Sequence, residues 1–238
     1  MTVQGPPLGS SQLAQSAEAE RSALNKVMWF GIIQLVGLIA GWIAYLYAFG
    51  VMFATASSLN LPPNPTPQQV SAALGPLFQQ FTYVVPISLG IALVAILLLQ
   101  IGFRGLSKVD SARFSIPSKL TFLLIIGEII GGGAVVLLFN SIPTILAQAG
   151  SASGTPTAFS GALAGIISFA LLALVGGVLA LIGLIGGLIL GLWRVGTRYD
   201  ETIIKLGAIF VIIPLLNIVA PILVLVGASQ AKRKVGIA

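Results

Sequence analysis

The chain has no cysteine and no histidine in its 238 residues, and only 8% of its residues are charged. Without those two residue types it has no His or Cys ligand for zinc, haem, copper or an iron–sulfur cluster, no Ser-His or Cys-His nucleophile pair and no disulfide. The 12 Lys and Arg and 6 Asp and Glu residues are too few to cover a soluble domain with polar surface. Because 57% of the residues are hydrophobic, against roughly 45–50% in soluble domains, the composition predicts an integral membrane protein.

Motifs that carry nucleotide or phosphoryl chemistry are also missing from the sequence. There is no G-x-x-x-x-G-K-[ST] and no G-x-G-x-x-G. The basic segments lack a dense run of Lys and Arg interleaved with aromatics, so no nucleic acid partner is expected. We therefore predict a non-enzymatic protein without cofactor or metal, whose basic residues meet anionic lipid headgroups.

Five apolar stretches are long enough to cross the roughly 30 Å hydrocarbon layer as helices. They are residues 27–53, 81–101, 120–146, 159–193 and 206–227. The predicted fold is an all-α integral membrane helical bundle over residues 27–228. A cytoplasmic leader and helical stem precede it at 1–26, and a short basic tail follows at 229–238. The fourth stretch is too long for one straight crossing, so it must tilt, project or break.

The distribution of positive charge predicts the orientation. Nine basic residues flank the first span or lie in the loops after spans two and four, whereas the loops 54–80 and 147–158 have no charge. The positive-inside rule therefore places the N-terminus and the charged loops in the cytoplasm. Asp110 and Asp200 lie in those loops beside basic residues, which predicts ordinary ion pairing. The neutral outer loops are compatible with an acidic exterior.

The fifth stretch leaves two alternatives open. A full crossing places Lys232, Arg233 and Lys234 outside, against the positive-inside rule. Pro214 and Pro221 also permit a re-entrant hairpin, which keeps all basic residues inside but needs partners for its broken backbone. We expect a kinked crossing, because 22 residues make two very short arms.

Glu128 is the candidate site for chemistry. It is the only charged residue in the five spans, about 12 Å into the membrane by helical rise, where a charge costs about 2.5–3.5 kcal/mol. Gln34 and Asn217 lie at comparable depth, and Pro221 frees the Asn217 carbonyl. The three side chains predict a polar cluster that either hydrogen-bonds helices together or carries protons or cations.

Glycine predicts close helix packing in the fourth span. Its G-x-x-x-G spacings let a neighbouring backbone approach, within the bundle or from a partner subunit. The candidate packing residues are Gly161, Gly165, Gly183, Gly187 and Gly191. An accessory or structural subunit of a larger membrane assembly, or a self-associating protein, is therefore the expected function. A small transporter or channel for protons, cations or small solutes that uses Glu128 is the alternative.

Three segments carry a resemblance to a known family. They are RSALNKV before the first span, GFRGLSKVDSARFSIPSKLT after the second, and GLILGLWRVGTRYDE followed by LGAIFVIIPLLNIVAPILVLVG. Together they resemble an archaeal family of multi-pass membrane proteins of unknown function that is abundant in thermoacidophilic Thermoproteota. The resemblance implies a compact helical bundle in an archaeal plasma membrane and supports an acidic exterior. Because that family has no assigned activity, the resemblance carries over no catalytic or binding residues.

Overall fold

The computed structural model describes residues 10–58, 66–151 and 156–235, and in these ranges all regular structure is helical. This confirms the predicted all-α class. The elements, in chain order, are α1 (Ser10–Ser58), α2 (Pro67–Val109), α3 (Ser111–Ser151), α4 (Pro156–Gly183), a π-helical segment (Leu184–Ile189), α5 (Leu190–Arg198), α6 (Thr202–Phe210) and α7 (Ala220–Lys234).

Four helical stretches are long and apolar enough to cross a membrane. They are Ala14–Thr55, Thr82–Val109, Ser111–Ile142 and Ala164–Arg198. Large apolar side chains point outward from them, as lipid contact requires; Trp42 is 55% exposed and Leu174 65%. The protein is therefore a helical membrane protein, and four of the five predicted spans correspond to these helices.

The helices extend further than the apolar stretches that predicted them. α1 includes the stem that precedes the first span, as expected, while residues 1–9 of the leader lie outside the described residues. The uncharged loop predicted at 54–80 is helical up to Ser58 and again from Pro67. A reciprocal cap explains the early start of α2: the Thr66 amide donates to Gln69 Oε1 (2.8 Å), and the Gln69 amide to Thr66 Oγ1 (3.3 Å).

α2 and α3 are joined by a single residue, Asp110. The Asp110 amide still donates to the Leu106 carbonyl of α2 (2.8 Å), and the Asp110 carbonyl already accepts from Phe114 of α3 (3.1 Å). Its carboxylate caps α3 by accepting from the Arg113 amide (3.2 Å). One residue therefore ends one long helix and begins the next.

The fourth predicted span is one helical path with a local change of winding. α4 passes into α5 through the π-helical segment Leu184–Ile189, which contains Gly186 and Gly187. A π-helical turn inserts an extra residue into the ladder and shifts the helix face that follows. Of the three alternatives that the sequence left open, tilt, projection or a break, the described chain shows no break between α4 and α5, only a change of winding.

The fifth predicted span is a helical hairpin, which corrects the expectation of a kinked crossing. α6 ends at Phe210, a series of turns follows through Val219, and α7 returns along α6. Pro214 cannot donate to the Phe210 carbonyl, which accepts instead from Ile213 (3.2 Å) and tightens the chain into the turns. Leu215 at the tip is 88% exposed.

Small residues let the two short arms pack closely enough to form this hairpin. A Cβ on Gly207 would lie 3.0 Å from a methyl of Val224, and one on Gly227 would lie 3.0 Å from the Ile204 backbone. Ala208, Ala220 and Ala228 are fully buried beside them. The two short arms therefore pack against each other, and α7 ends near the start of α6.

The chain divides into two compact units. The terminal unit comprises Met1–Leu35, Val94–Leu123 and Ile182–Ala238, and the middle unit comprises Val36–Leu93 and Leu124–Leu181. All 12 basic residues and five of the six acidic residues belong to the terminal unit, and Glu128 is the only Asp, Glu, Lys or Arg in the middle unit.

The terminal unit has a core of large side chains. Phe103 and Phe114 stack with ring centroids 6.5 Å apart, and both are fully buried. Gly191 of α5 faces the Phe103 ring without a side chain of its own. The remaining fully buried large side chains are Leu24, Val27, Leu99, Leu106, Leu192, Val195, Ile204 and Val224.

The middle unit packs through backbone. A Cβ on Gly176 of α4 would clash with the Gly131 backbone and lie 2.8 Å from the Gly127 carbonyl oxygen of α3, and one on Gly127 would lie 2.7 Å from the Cα of Ala180. Lipid supplies no hydrophobic force between helices, so this close approach is what associates α3 with α4.

The hairpin predicts that residues 111 and 233 lie on the same side of the membrane and residue 66 on the opposite side. Because the chain is free of cysteine, Thr66→Cys, Ser111→Cys and Arg233→Cys each introduce one thiol. An impermeant maleimide added to sealed vesicles of one orientation should label Ser111→Cys and Arg233→Cys together. If Arg233→Cys were labelled with Thr66→Cys, the segment after α5 would cross fully.

The backbone contact between α3 and α4 predicts opposite effects at two adjacent glycines. Gly176→Ala should destabilise the protein by about 1–3 kcal/mol, because the added Cβ meets backbone that cannot move aside. A Cβ on Gly177 would have nothing within 4 Å, so Gly177→Ala should be neutral or stabilise by up to about 1 kcal/mol. Thermal stability in detergent, followed by loss of the monodisperse peak, measures both; equal losses would contradict the packing.

Candidate functional site

A charged cluster centred on Arg198 joins three parts of the terminal unit. The Arg198 guanidinium donates from Nε to Glu20 Oε1 of α1 at 2.8 Å, and a second nitrogen, Nη2, bonds the same oxygen. Its Nη1 donates to Asp110 Oδ2 between α2 and α3 at 2.6 Å. Asp110 also pairs with Arg113 at 3.5 Å. A planar guanidinium suits this task because its fork of donors serves two carboxylates at once.

Lys234 binds the end of α7 to the turn before α6. Its ammonium lies 2.8 Å from Glu201 Oε1 and donates to the carbonyls of Tyr199 (3.0 Å) and Asp200 (3.1 Å). The turn displays those carbonyls because Asp200 adopts a left-handed conformation (φ 50°) and the Glu201 amide donates back to the Gly196 carbonyl at 2.8 Å. This is the 6→1 bond of a Schellman C-cap. The end of α7 is therefore held beside Arg198.

These groups line a cavity of about 760 Å³. Its charged lining consists of Glu20, Asp110, Arg113, Arg198, Asp200 and Lys234. The acids and bases balance, and most of them bind one another, so the cavity offers a ligand little unpaired charge. The ion pairs in its lining hold α1, the turn between α2 and α3, and the end of α5 together.

Tyr199 adds a buried phenol to the same cavity. Its hydroxyl has no hydrogen-bond partner among the residues that the structure describes, and the Arg198 guanidinium lies 5.7 Å from its ring centroid. Burial raises the pKa of the Tyr199 phenol above its ordinary value, and the negative charge of Glu20 raises it further. The phenol therefore stays protonated and serves as neutral packing.

The predicted polar cluster falls in both units. Gln34 and Asn217 belong to the terminal unit and Glu128 to the middle unit, and all three are half-buried. Within the described part of the terminal unit, the side chains of Gln34 and Asn217 share no hydrogen bond. The cluster stays a prediction.

Glu128 is half-buried in α3, among glycines that meet two other helices. Gly127 and Gly131 face the α4 backbone, and Gly132 faces Leu89 of α2. Since the middle unit contains no Lys or Arg, no cation of that unit can neutralise the Glu128 carboxylate. A carboxyl in an apolar span is expected to be neutral, paired or hydrated.

The predicted packing glycines divide into covered and uncovered positions. Gly183 is buried, Gly187 faces the Thr121 backbone and Gly191 faces the Phe103 ring. By contrast, a Cβ on Gly161 or Gly165 of α4 would have nothing within 4 Å among the described residues. The covered positions thus pack within the chain, and the other two have no close neighbour in the part of the chain that the structure describes.

Sequence reasoning predicted ion pairing at Asp110 but did not predict the Arg198 cluster. It placed basic residues beside Asp110 but could not select Arg198, which is 88 residues away, or Glu20, 178 residues from Arg198. Within the described residues, no group of three or more His, Cys, Asp and Glu side chains is arranged to hold a metal ion.

The fold and this distribution of charge define an all-helical membrane protein whose Lys, Arg, Asp and Glu residues, apart from Glu128, all belong to one unit. Comparison with known families gives a consistent assignment. The chain belongs to the family described as Protein of unknown function (DUF973), whose sequence profile matches residues 21–236. No curated protein and no solved structure matches the chain significantly.

The Arg198 cluster predicts different roles for two neighbouring acids of α1. Glu20→Gln should lower stability by about 1–2 kcal/mol, because it leaves a partly buried guanidinium with one carboxylate fewer. Glu18 is exposed and makes no ion pair among the described residues, so Glu18→Gln is the matched control and should change stability by less than about 0.5 kcal/mol. Thermal unfolding in detergent distinguishes them; similar losses would show that Glu20 acts only through net charge.

Proposed function

We propose that this protein is a non-enzymatic accessory or structural subunit of a larger membrane assembly in the plasma membrane, with its N-terminus in the cytoplasm. The uncovered glycine face of α4 supports this proposal. Gly161 and Gly165 are one helical turn apart, and a Cβ on either would meet none of the residues that the structure describes within 4 Å. In lipid such small-residue pairs associate helices by allowing close backbone contact.

The charged groups support a structural role. Glu20, Asp110 and Glu201 are held in ion pairs with Arg198, Arg113 and Lys234. These pairs tie helix ends together, which gives the subunit a rigid cytoplasmic end. The resemblance to archaeal thermoacidophile proteins supports an archaeal membrane with an acidic exterior, and the loops 54–80 and 147–158, which contain no ionisable side chain, would not change charge there.

Native mass spectrometry of particles extracted gently from their own membrane tests the assembly. We expect other membrane proteins in fixed ratio with this chain. Gly161→Leu with Gly165→Leu should release them, because the leucines hold the neighbouring helix away. Gly177→Leu is the control, since Gly177 is open but lies outside that glycine pair. A monodisperse particle of this chain alone that conducts ions would overturn the accessory role.

A small transporter or channel is the second candidate, and the position of Glu128 favours it. Glu128 is a half-buried carboxyl in a unit without any cationic side chain. Reversible protonation or exchange of a small cation would satisfy it. In proteoliposomes, Glu128→Gln should then abolish proton or cation flux, with Glu18→Gln as the control for loss of one charge. No flux from the unmodified protein would remove this candidate.

A further inference from the structure

We propose that the groove between α1 and α7 in the terminal unit binds the phosphate group of an anionic membrane lipid. Two adjoining cavities form the groove, with volumes of about 380 Å³ and 300 Å³. Met28, Ser229 and Arg233 line both of them. Arg21 and Lys232 complete the basic end, and Leu225 and Val226 the apolar end.

The groove is positively charged, and none of its lining residues that the structure describes is Asp or Glu. Arg21 donates to the Val235 carbonyl at 3.1 and 2.7 Å, and Lys232 donates to Asn25 Oδ1 at 3.1 Å. Both acceptors are neutral, so the hydrogen bonds position these cations and leave their charge in place. Arg233 is exposed and makes no ion pair among the described residues.

This excess charge is a local property of the groove. In the Arg198 cluster the acids and bases of the same unit neutralise one another. Glu18 lies one turn before Arg21 yet pairs with no cation in the described residues. Two cations with neutral partners and one exposed cation form a site that favours an external anion, and phosphate oxygens match guanidinium and ammonium donors in geometry.

The apolar end distinguishes a lipid from a free anion. Val226 is 40% exposed and continues onto the outer face of α7, where Ile222 is 41% exposed. Trp29 of α1, next to Met28, is 46% exposed, and exposed tryptophan is typical of the headgroup level of a bilayer. A lipid phosphate among the cations would thus direct its acyl chains along apolar side chains.

Native mass spectrometry of the delipidated full-length protein tests this site. The protein is titrated with phosphatidylglycerol and, separately, with phosphatidylcholine of the same acyl chains. We expect phosphatidylglycerol to bind preferentially. The triple variant combines Arg21→Gln, Lys232→Gln and Arg233→Gln. Its phosphatidylglycerol binding should weaken roughly fivefold for each charge removed. No preference for phosphatidylglycerol would overturn the proposal.

A matched control separates this groove from diffuse surface charge. Arg104, Lys108 and Lys119 are basic residues of the same unit that make no ion pair among the described residues and line neither cavity. Replacing all three with Gln removes the same charge and should leave phosphatidylglycerol binding within about twofold. An equal loss in both triple variants would overturn the proposal.

Two further measurements keep the outcome unambiguous. Arg233→Gln alone breaks no hydrogen bond or ion pair of the described residues. This variant is therefore expected to fold, to remain monodisperse and to bind phosphatidylglycerol roughly fivefold more weakly. Unchanged lipid binding in that folded variant would overturn the assignment of Arg233. Inorganic phosphate is the competitor: displacement of the lipid by phosphate at equal concentration would overturn lipid binding in favour of a free-anion site.

Discussion

The terminal unit depends on the guanidinium of Arg198. Its donors bind Glu20, which is 178 residues distant, and Asp110, which is 88 residues distant, so one side chain joins the first helix, the turn between α2 and α3, and the end of α5. Each long helix on its own needs only lipid around it. The ion pairs favour the arrangement in which these three segments meet, because a partly buried carboxylate without a cation is costly.

The two units achieve packing by different physical means. The terminal unit surrounds Phe103 and Phe114 with aliphatic side chains, as a soluble protein core does. The middle unit brings α3 against α4 at Gly127, Gly131 and Gly176, where backbone meets backbone. Bare backbone contacts suit an apolar solvent, because they gain dispersion and require no expulsion of water.

Hydropathy alone predicted the class and four spans correctly, because long apolar helices are dictated by the solvent around them. It failed at residues 206–227, which have the composition of a span and fold as a hairpin. The decisive facts there are tertiary: Gly207 and Gly227 admit the opposite arm, and Lys234 holds its end at Glu201. Local sequence showed the prolines but could not show what the freed backbone would meet.

Candidate site residues show the same limit. Glu128 is visible in the sequence because a carboxylate is rare in an apolar stretch, whereas its membership of a unit that contains no Lys or Arg emerges only from the fold. Arg198 has an ordinary loop position in the sequence, since its partners lie far along the chain. Pairing across such distances is specified by helix register, which hydrophobic periodicity gives only coarsely.

The turn at Asp110 has a consequence for how the protein enters its membrane. With a single residue between α2 and α3, no flexible loop separates the two helices. We therefore expect the two apolar helices to enter the membrane together, as one pair already joined at the Asp110 end.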